Sequence, residues 1–107
     1  MRPSAGSQIR TTQVFIDWLS GLRDGVTKAR IAKRIDQLAK GNPGHVRGVG
    51  DGILELKLDF GPGYRVYYVK RGAVFIVLLC GGDKSSQEKD IRRAKELAED
   101  LDLEDLI

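Results

Sequence analysis

From Ile53 to Phe60 the chain reads Ile-Leu-Glu-Leu-Lys-Leu-Asp-Phe, apolar at every second position. Side chains of a strand point alternately to its two faces. The pattern therefore turns Leu54, Leu56, Leu58 and Phe60 toward a core and Glu55, Lys57 and Asp59 away from it. Gly61-Pro62-Gly63 then turns the chain. Tyr64 to Lys70 is rich in strand formers but alternates less cleanly. Arg65 and Tyr67 share one parity and Val66 and Tyr68 the other, so Tyr68 is the tyrosine expected in the core. Arg71-Gly72 reads as a tight hairpin turn. Ala73 to Cys80 is a continuous apolar run, expected to lie centrally in a sheet and to be covered on both faces.

The first half of the chain has a helical period instead. Gln8-Ile9-Arg10 reads as a short edge strand. Thr11 or Thr12 offers an N-cap to a helix in which Phe15, Trp18, Leu19 and Leu22 recur, ended by Asp24-Gly25. A second helix, Val26 to Ala39, turns Ile31, Ile35 and Leu38 inward with Ala32 and Ala39, and stops at Gly41-Asn42-Pro43-Gly44. After the strands, Gly81-Gly82-Asp83-Lys84 forms a loop. Ser85 and Glu88 are expected to make the capping box of a last helix reaching about Ala98. This order of helix, helix, three-strand meander and helix predicts an α+β domain with helices against a small antiparallel sheet. Residues 1–7 are expected to be a disordered N-terminus, 8–98 the domain, and 99–107 an acidic tail.

A chain of 107 residues is one domain. One cysteine and one histidine exclude a cysteine-based zinc site, a paired-histidine metal site and an intrachain disulfide. No apolar run is long enough to span a bilayer, and the first residues have no apolar core, so the expectation is a cytoplasmic protein without membrane contact. The charge is unevenly placed. Residues 1–95 hold all 18 basic side chains against 9 acidic ones, or +9, and six acids follow with no base among them. A basic body suits a partner that carries phosphate.

Standard catalytic constellations are missing. His45 reads as a surface residue of a glycine-rich loop. Cys80 ends an apolar strand, where thiols are usually inert. Gly81 to Ser86 lacks the spacing of a nucleotide phosphate loop, though its glycines precede a helix and would suit a single phosphate. The basic groups are the better lead. Lys57 and Arg65 point outward from adjacent strands, Arg47 precedes the first of them and Lys84 follows the third, with Tyr64 and Tyr67 between them. Such a face can hold a phosphodiester and stack a base. The alternative is that the charges only solvate the sheet and the tyrosines pack.

Three stretches carry a family resemblance: Gly50-Asp51-Gly52-Ile53-Leu54-Glu55-Leu56-Lys57, then Gly61-Pro62-Gly63-Tyr64-Arg65-Val66-Tyr67-Tyr68, then Leu78-Leu79-Cys80-Gly81-Gly82-Asp83-Lys84-Ser85-Ser86-Gln87-Glu88-Lys89-Asp90-Ile91. Together with Phe15-Ile16-Asp17-Trp18-Leu19 and Gly41-Asn42-Pro43-Gly44, they make residues 8–98 resemble the RelE/ParE toxin superfamily. The likeness is greatest to its HigB-like branch, also called addiction module killer or phage-derived toxin-like proteins. The resemblance implies a RelE-like fold: a small antiparallel sheet, two N-terminal helices on one face and a C-terminal helix. It also implies a toxin paired with an antitoxin that carries a helix-turn-helix DNA-binding domain, and a ribosome-dependent endoribonuclease that cuts mRNA without a metal or other cofactor. Arg65 matches the family's arginine, Lys57 its outward lysine and Lys84 the basic residue after the third strand, so these three are the candidate catalytic residues. Arg47, Tyr64 and Tyr67 are the candidate substrate contacts. RelE has an active-site tyrosine near its C-terminus, and this chain has no aromatic residue after Phe75. Tyr64 or Tyr67 would have to stack the base instead. In RNA cleavage the 2′-hydroxyl is the nucleophile, Arg65 would stabilise the phosphorane and Lys57 could serve as the base. A gyrase-binding toxin of the ParE kind and an inactive relative that binds only antitoxin or nucleic acid are the alternatives.

Overall fold

The computed structural model describes residues 7–72 and 75–107. Among the described residues, five strands form one sheet: β1 (Gln8–Thr11), β2 (Val46–Gly50), β3 (Ile53–Lys57), β4 (Arg65–Arg71) and β5 (Phe75–Gly82). Their spatial order is β1-β5-β4-β3-β2. Every neighbouring pair is antiparallel except β1 and β5, which run parallel. Three helices complete the domain: α1 (Gln13–Ser20), α2 (Gly25–Ala39) and α3 (Gln87–Glu99). The α+β class and the RelE-like arrangement expected from the sequence are present.

The sheet is larger than the expected three-strand meander. The reading missed β2 because Gly48 and Gly50 weaken a strand pattern. The turn that joins it to β3 places Gly50, Asp51 and Gly52 at φ of 102°, 56° and 79°, a left-handed run that glycine makes affordable. The register is Val46 opposite Leu56, Arg47 opposite Glu55, Glu55 opposite Tyr67 and Lys57 opposite Arg65.

The two faces of the sheet are covered separately. Leu54, Leu56, Leu58, Val66, Tyr68, Ile76 and Leu78 pack with Phe15, Ile31 and Leu38 from α1 and α2. Ile53, Tyr67, Val69, Val77 and Leu79 pack with Ala94 of α3, joined by Ile91 and Leu97. Both Tyr67 and Tyr68 are therefore buried, where the sequence favoured Tyr68 alone. Thr12 caps α1 by accepting from the Phe15 N–H. Asp24, expected at the end of that helix, instead caps α2 by accepting from the Val26 N–H. Ala32, expected to face inward, is exposed.

The loop after β5 departs from the expected capping box. Asp83, not Ser85, accepts from the Ser85 N–H and opens a 3-10 turn over Lys84–Ser86, with Ser86 as its reciprocal partner. Gly81 and Gly82 owe their identity to close approach. A Cβ on Gly81 would overlap the Trp18 ring, and one on Gly82 would overlap the Asp90 carboxylate. The two glycines thus let α1 and α3 settle on opposite faces of one strand end, rather than forming a phosphate cradle.

The acidic tail returns to the sheet. The Thr11 N–H donates to the Ile107 carbonyl (3.2 Å) and the Ile107 N–H to the Thr11 carbonyl (3.0 Å). Leu101 and Leu106 pack beside the cluster under α3. The tail therefore lies along β1, the edge of the sheet opposite β2. Ser7, expected in the disordered N-terminus, donates its N–H to the Ala39 carbonyl (2.7 Å). Residues 1–6, and the Ala73-Val74 start of the apolar run, lie outside the described residues.

Candidate functional site

Two neighbouring rungs of the sheet build the site. One rung carries Arg47, Glu55, Tyr67 and Cys80 on β2 to β5. The next carries Lys57, Arg65 and Gly82, and His45 lies at its end, its carbonyl accepting from the Lys57 N–H (3.0 Å). Residues two apart on one strand share a face. Lys57 with Glu55, Arg65 with Tyr67 and His45 with Arg47 accordingly project to the same side, the side that α3 covers. The N-terminal residue of α3, Gln87, closes over this end. His45, Arg47, Glu55, Lys57, Arg65 and Gln87 line a pocket of about 310 Å³.

Glu55 is the centre of this arrangement. The alternation turned it toward solvent, yet its side chain is 2% exposed. One carboxylate oxygen accepts from Arg47 Nε (2.8 Å), the other from the Tyr67 hydroxyl (2.9 Å) and from Gln87 Nε2 (2.9 Å). Arg65 Nε stands 3.6 Å from the same oxygen. Burial pushes the Glu55 carboxyl up, but the bonds from Arg47, Gln87 and Tyr67 outweigh it and hold the group below its ordinary range. In return, burial first and the Glu55 carboxylate second keep the Tyr67 hydroxyl protonated. Parity tells which face a residue takes, not what covers that face. The signal that could have revealed the cover was the apolar character of Ile53, Val69 and Val77, which share the parity of Glu55, and the stripe Ile91, Ala94 and Leu97 of a helix that needed a surface.

The predicted residues fall into three groups. Arg47, Lys57 and Arg65 do converge. Arg65, expected to point outward, is 6% exposed, with Nη1 donating to the Gly63 carbonyl (2.6 Å) and Nε without a hydrogen-bond partner. Lys57 is partly exposed, with Nζ 3.6 Å from Asp59. Lys84 does not line the pocket. It sits on the neighbouring surface of the 3-10 turn, tied to the Gly61–Gly63 loop through its N–H to the Pro62 carbonyl (3.3 Å). Neither tyrosine offers a free ring. Tyr67 is fully buried with its hydroxyl committed to Glu55. Tyr64 has the opposite parity and packs on the α1/α2 side, 5.6 Å from the Phe60 ring and 6.3 Å from Trp18. The sequence reading did not single out Glu55 or Gln87. His45 lies, as expected, in the exposed loop that precedes β2, with Nδ1 3.6 Å from Asp59; what the sequence did not show is that this loop borders the pocket. Among the described residues no cluster of three or more His, Cys, Asp or Glu is placed to hold a metal ion, and no helix is long and apolar enough to cross a membrane.

The rim of the pocket is fixed from behind. Arg34 of α2 donates from Nη1 to the Lys57 carbonyl (3.0 Å) and from Nη2 to the Pro43 carbonyl (2.9 Å). The end of β3 and the segment leading to His45 are thereby held together. Converging guanidinium and ammonium groups of this kind, with an imidazole beside them, can bind a phosphodiester and stabilise charge that develops on it.

Comparison with known proteins shows the family. A protein of Haemophilus influenzae (strain ATCC 51907 / DSM 11121 / KW20 / Rd), described as an uncharacterized protein, is 52% identical to the chain over 96 residues, which cover 90% of this chain and 97% of that one. No solved structure matches this chain. The family described as "Phage derived protein Gp49-like (DUF891)" matches residues 17–101. The match spans the pocket and all three helices, apart from the first turn of α1. The chain belongs to this Gp49-like family, a toxin–antitoxin-associated family within the RelE/ParE-like toxin superfamily, and its family implies a cognate antitoxin as partner.

Proposed function

We propose that the chain is a ribosome-dependent mRNA endoribonuclease of the HigB-like kind, the toxin of a type II pair whose antitoxin carries a helix-turn-helix domain. One observation carries the reading: Arg47, Lys57 and Arg65, from three adjacent strands, and His45, from the loop before β2, line one pocket. A toxin that only bound a protein target would have no need to gather three permanent cations around one cavity.

In the proposed reaction the 2′-hydroxyl oxygen attacks the adjacent phosphorus and its proton passes to a base. The bond from phosphorus to the 5′-oxygen breaks, and that oxygen receives a proton. The products are a 2′,3′-cyclic phosphate and a 5′-hydroxyl, and no water or metal enters the step. Arg65, Arg47 and Lys57 supply positive charge to the phosphorane. Guanidinium groups suit this role because they stay charged and bind two oxygens at once. His45 is the proton carrier in this scheme, since imidazole both takes and gives a proton near neutrality. Glu55 is unsuited to be the base, because both of its oxygens already accept hydrogen bonds. Its role is to position Arg47 and Arg65. Base stacking by Tyr64 or Tyr67 drops out of the scheme for want of a free ring. Dependence on the ribosome follows from the same shortage: the pocket grips a phosphate but has nothing to orient the nucleotide, and orientation is worth several powers of ten in rate.

The test is induced expression followed by primer extension on abundant transcripts. Wild-type protein should arrest growth and create new 5′ ends inside translated regions. Lys57→Ala should abolish both while the protein stays soluble. Growth arrest with intact transcripts and cleaved chromosomal DNA would point to gyrase and overturn the proposal.

A further inference from the structure

A second groove, of about 550 Å³, adjoins the pocket and shares Gln87 with it. Its cations are Lys84 from the 3-10 turn and Lys89 and Arg92 from α3; its one acid is Glu88. Lys89 and Arg92 lie three apart and therefore on one side of the helix. All four charged side chains are exposed. A Cβ on Gly63 would lie 3.1 Å from Arg65 Nη1 and 3.4 Å from the Lys84 Cβ, and Gly63 has φ of +78°. A residue of the pocket and a residue of the groove thus come together at this glycine. The bond from the Lys84 N–H to the Pro62 carbonyl fixes their relative position.

Resting on the pocket reading above, we infer that this groove holds the next phosphates of the same RNA strand, so that the substrate is an extended single strand spanning both cavities. The chemistry favours this. The groove gathers three cations beside a site whose own ligand is a phosphodiester, and a strand leaving the pocket past Gly63 meets Lys84 first. The aromatic groups of this part of the molecule are all packed elsewhere. The groove therefore recognises backbone and not base, and binding across it is insensitive to sequence and sensitive to salt.

The experiment measures binding of a dinucleotide and an octanucleotide of single-stranded RNA by NMR titration and fluorescence anisotropy, over a range of salt from 50 to 200 mM. The wild-type protein should bind the octamer about tenfold more tightly at low salt than the dinucleotide. The double variant Lys89→Ala/Arg92→Ala should lose most of that length-dependent gain, with its salt slope reduced by about 1.4, roughly 0.7 for each lost phosphate contact. Glu88→Gln should strengthen octamer binding about twofold. An unchanged octamer-to-dinucleotide ratio and salt slope in the double variant overturns the groove. Undiminished dinucleotide binding by Lys57→Ala, or no RNA binding by the wild type, overturns the pocket reading on which it rests.

Discussion

The two faces of the sheet are made by the same strands and finished differently. Under α1 and α2 the face is apolar along its length, from Leu54 through Leu56 on β3 to Leu58 just past it, and across Val66, Ile76 and Leu78 on other strands. Under α3 the face begins in the same way, with Ile53, Val69 and Val77. It then changes within one strand to Glu55 and Lys57, opposite Tyr67 and Arg65. The first face keeps the strands together through burial alone. The second puts the Glu55 carboxylate and the Arg65 guanidinium where burial would otherwise continue; Arg47, Tyr67 and Gln87 donate hydrogen bonds to the carboxylate, and Arg65 donates to the Gly63 carbonyl. A buried charge is tolerated when it is paired and costly when it is not. The difference teaches where so small a domain can place the proposed function: at the end of a core face, on the parity that the helix leaves partly open.

The largest effect that could break this comparison is on stability. Leu56→Ala and Glu55→Gln remove neighbours in sequence that belong to opposite faces. Leu56→Ala should cost about 2–5 kcal/mol through the cavity it leaves. Glu55→Gln should cost about 3–5 kcal/mol by leaving the buried Arg65 without its counter-charge. Chemical denaturation at pH 7 measures both. A cost below about 1 kcal/mol for Glu55→Gln would mean that the charged rung is not part of the core.

Next in size is an effect on activity with almost none on stability. Lys57→Ala and His45→Ala touch side chains that are partly or largely open to solvent. Each should leave the denaturation midpoint nearly unchanged, with less than about 1 kcal/mol lost. Each should lower cleavage on ribosomes about 10²-fold or more, as for loss of a proton carrier or of charge stabilisation. Equal losses of stability and rate would erase the distinction between site and core.

A smaller and sharper effect is the pH dependence of folding. The Glu55 carboxyl is held below its ordinary range when folded, so its contribution is present above the unfolded value of about 4.3 and is lost as pH falls through the folded one. The Tyr67 hydroxyl is held above its ordinary range, so its contribution is present below about pH 10 and fades as the unfolded chain ionises. Stability should therefore be flat near neutrality and fall on both sides. Glu55→Gln should flatten the acid side, and Tyr67→Phe the alkaline side. An acid limb of the same slope in Glu55→Gln would place the titrating group elsewhere. The smallest expected effect concerns Cys80. Burial pushes its thiol up to about 12, so it should resist a thiol reagent at pH 8 in the folded protein and react only on unfolding.

Much of this was legible in the sequence, and the limits are physical. Strand β3 and helix α2 could be read because period 2 and period 3.6 each require only local order. The convergence of Lys57 with Arg65 followed from a hairpin with a defined turn. Strand β2 could not be read, because Gly48 and Gly50 carry no side chains to show a period. With it went the pairing of Arg47 to Glu55 and the place of the His45 loop beside the pocket. The burial of Glu55 depends on Gln87, 32 residues away, and no local pattern reports a hydrogen bond at that distance. That Lys84 lines the adjoining groove and not the pocket depends on how the 3-10 turn packs against the Gly61–Gly63 loop, which no local pattern reports.

The most direct test of the central claim, that the pocket on β2, β3 and β4 cleaves RNA through the RNA's own 2′-hydroxyl, uses translating ribosomes programmed with a defined mRNA. The nucleotide on the 5′ side of the cleaved bond is replaced by its 2′-deoxy form. The account predicts cleavage of the all-RNA message to a 2′,3′-cyclic phosphate end, and no cleavage at that bond in the substituted message. Cleavage of the 2′-deoxy message at the same bond would contradict it.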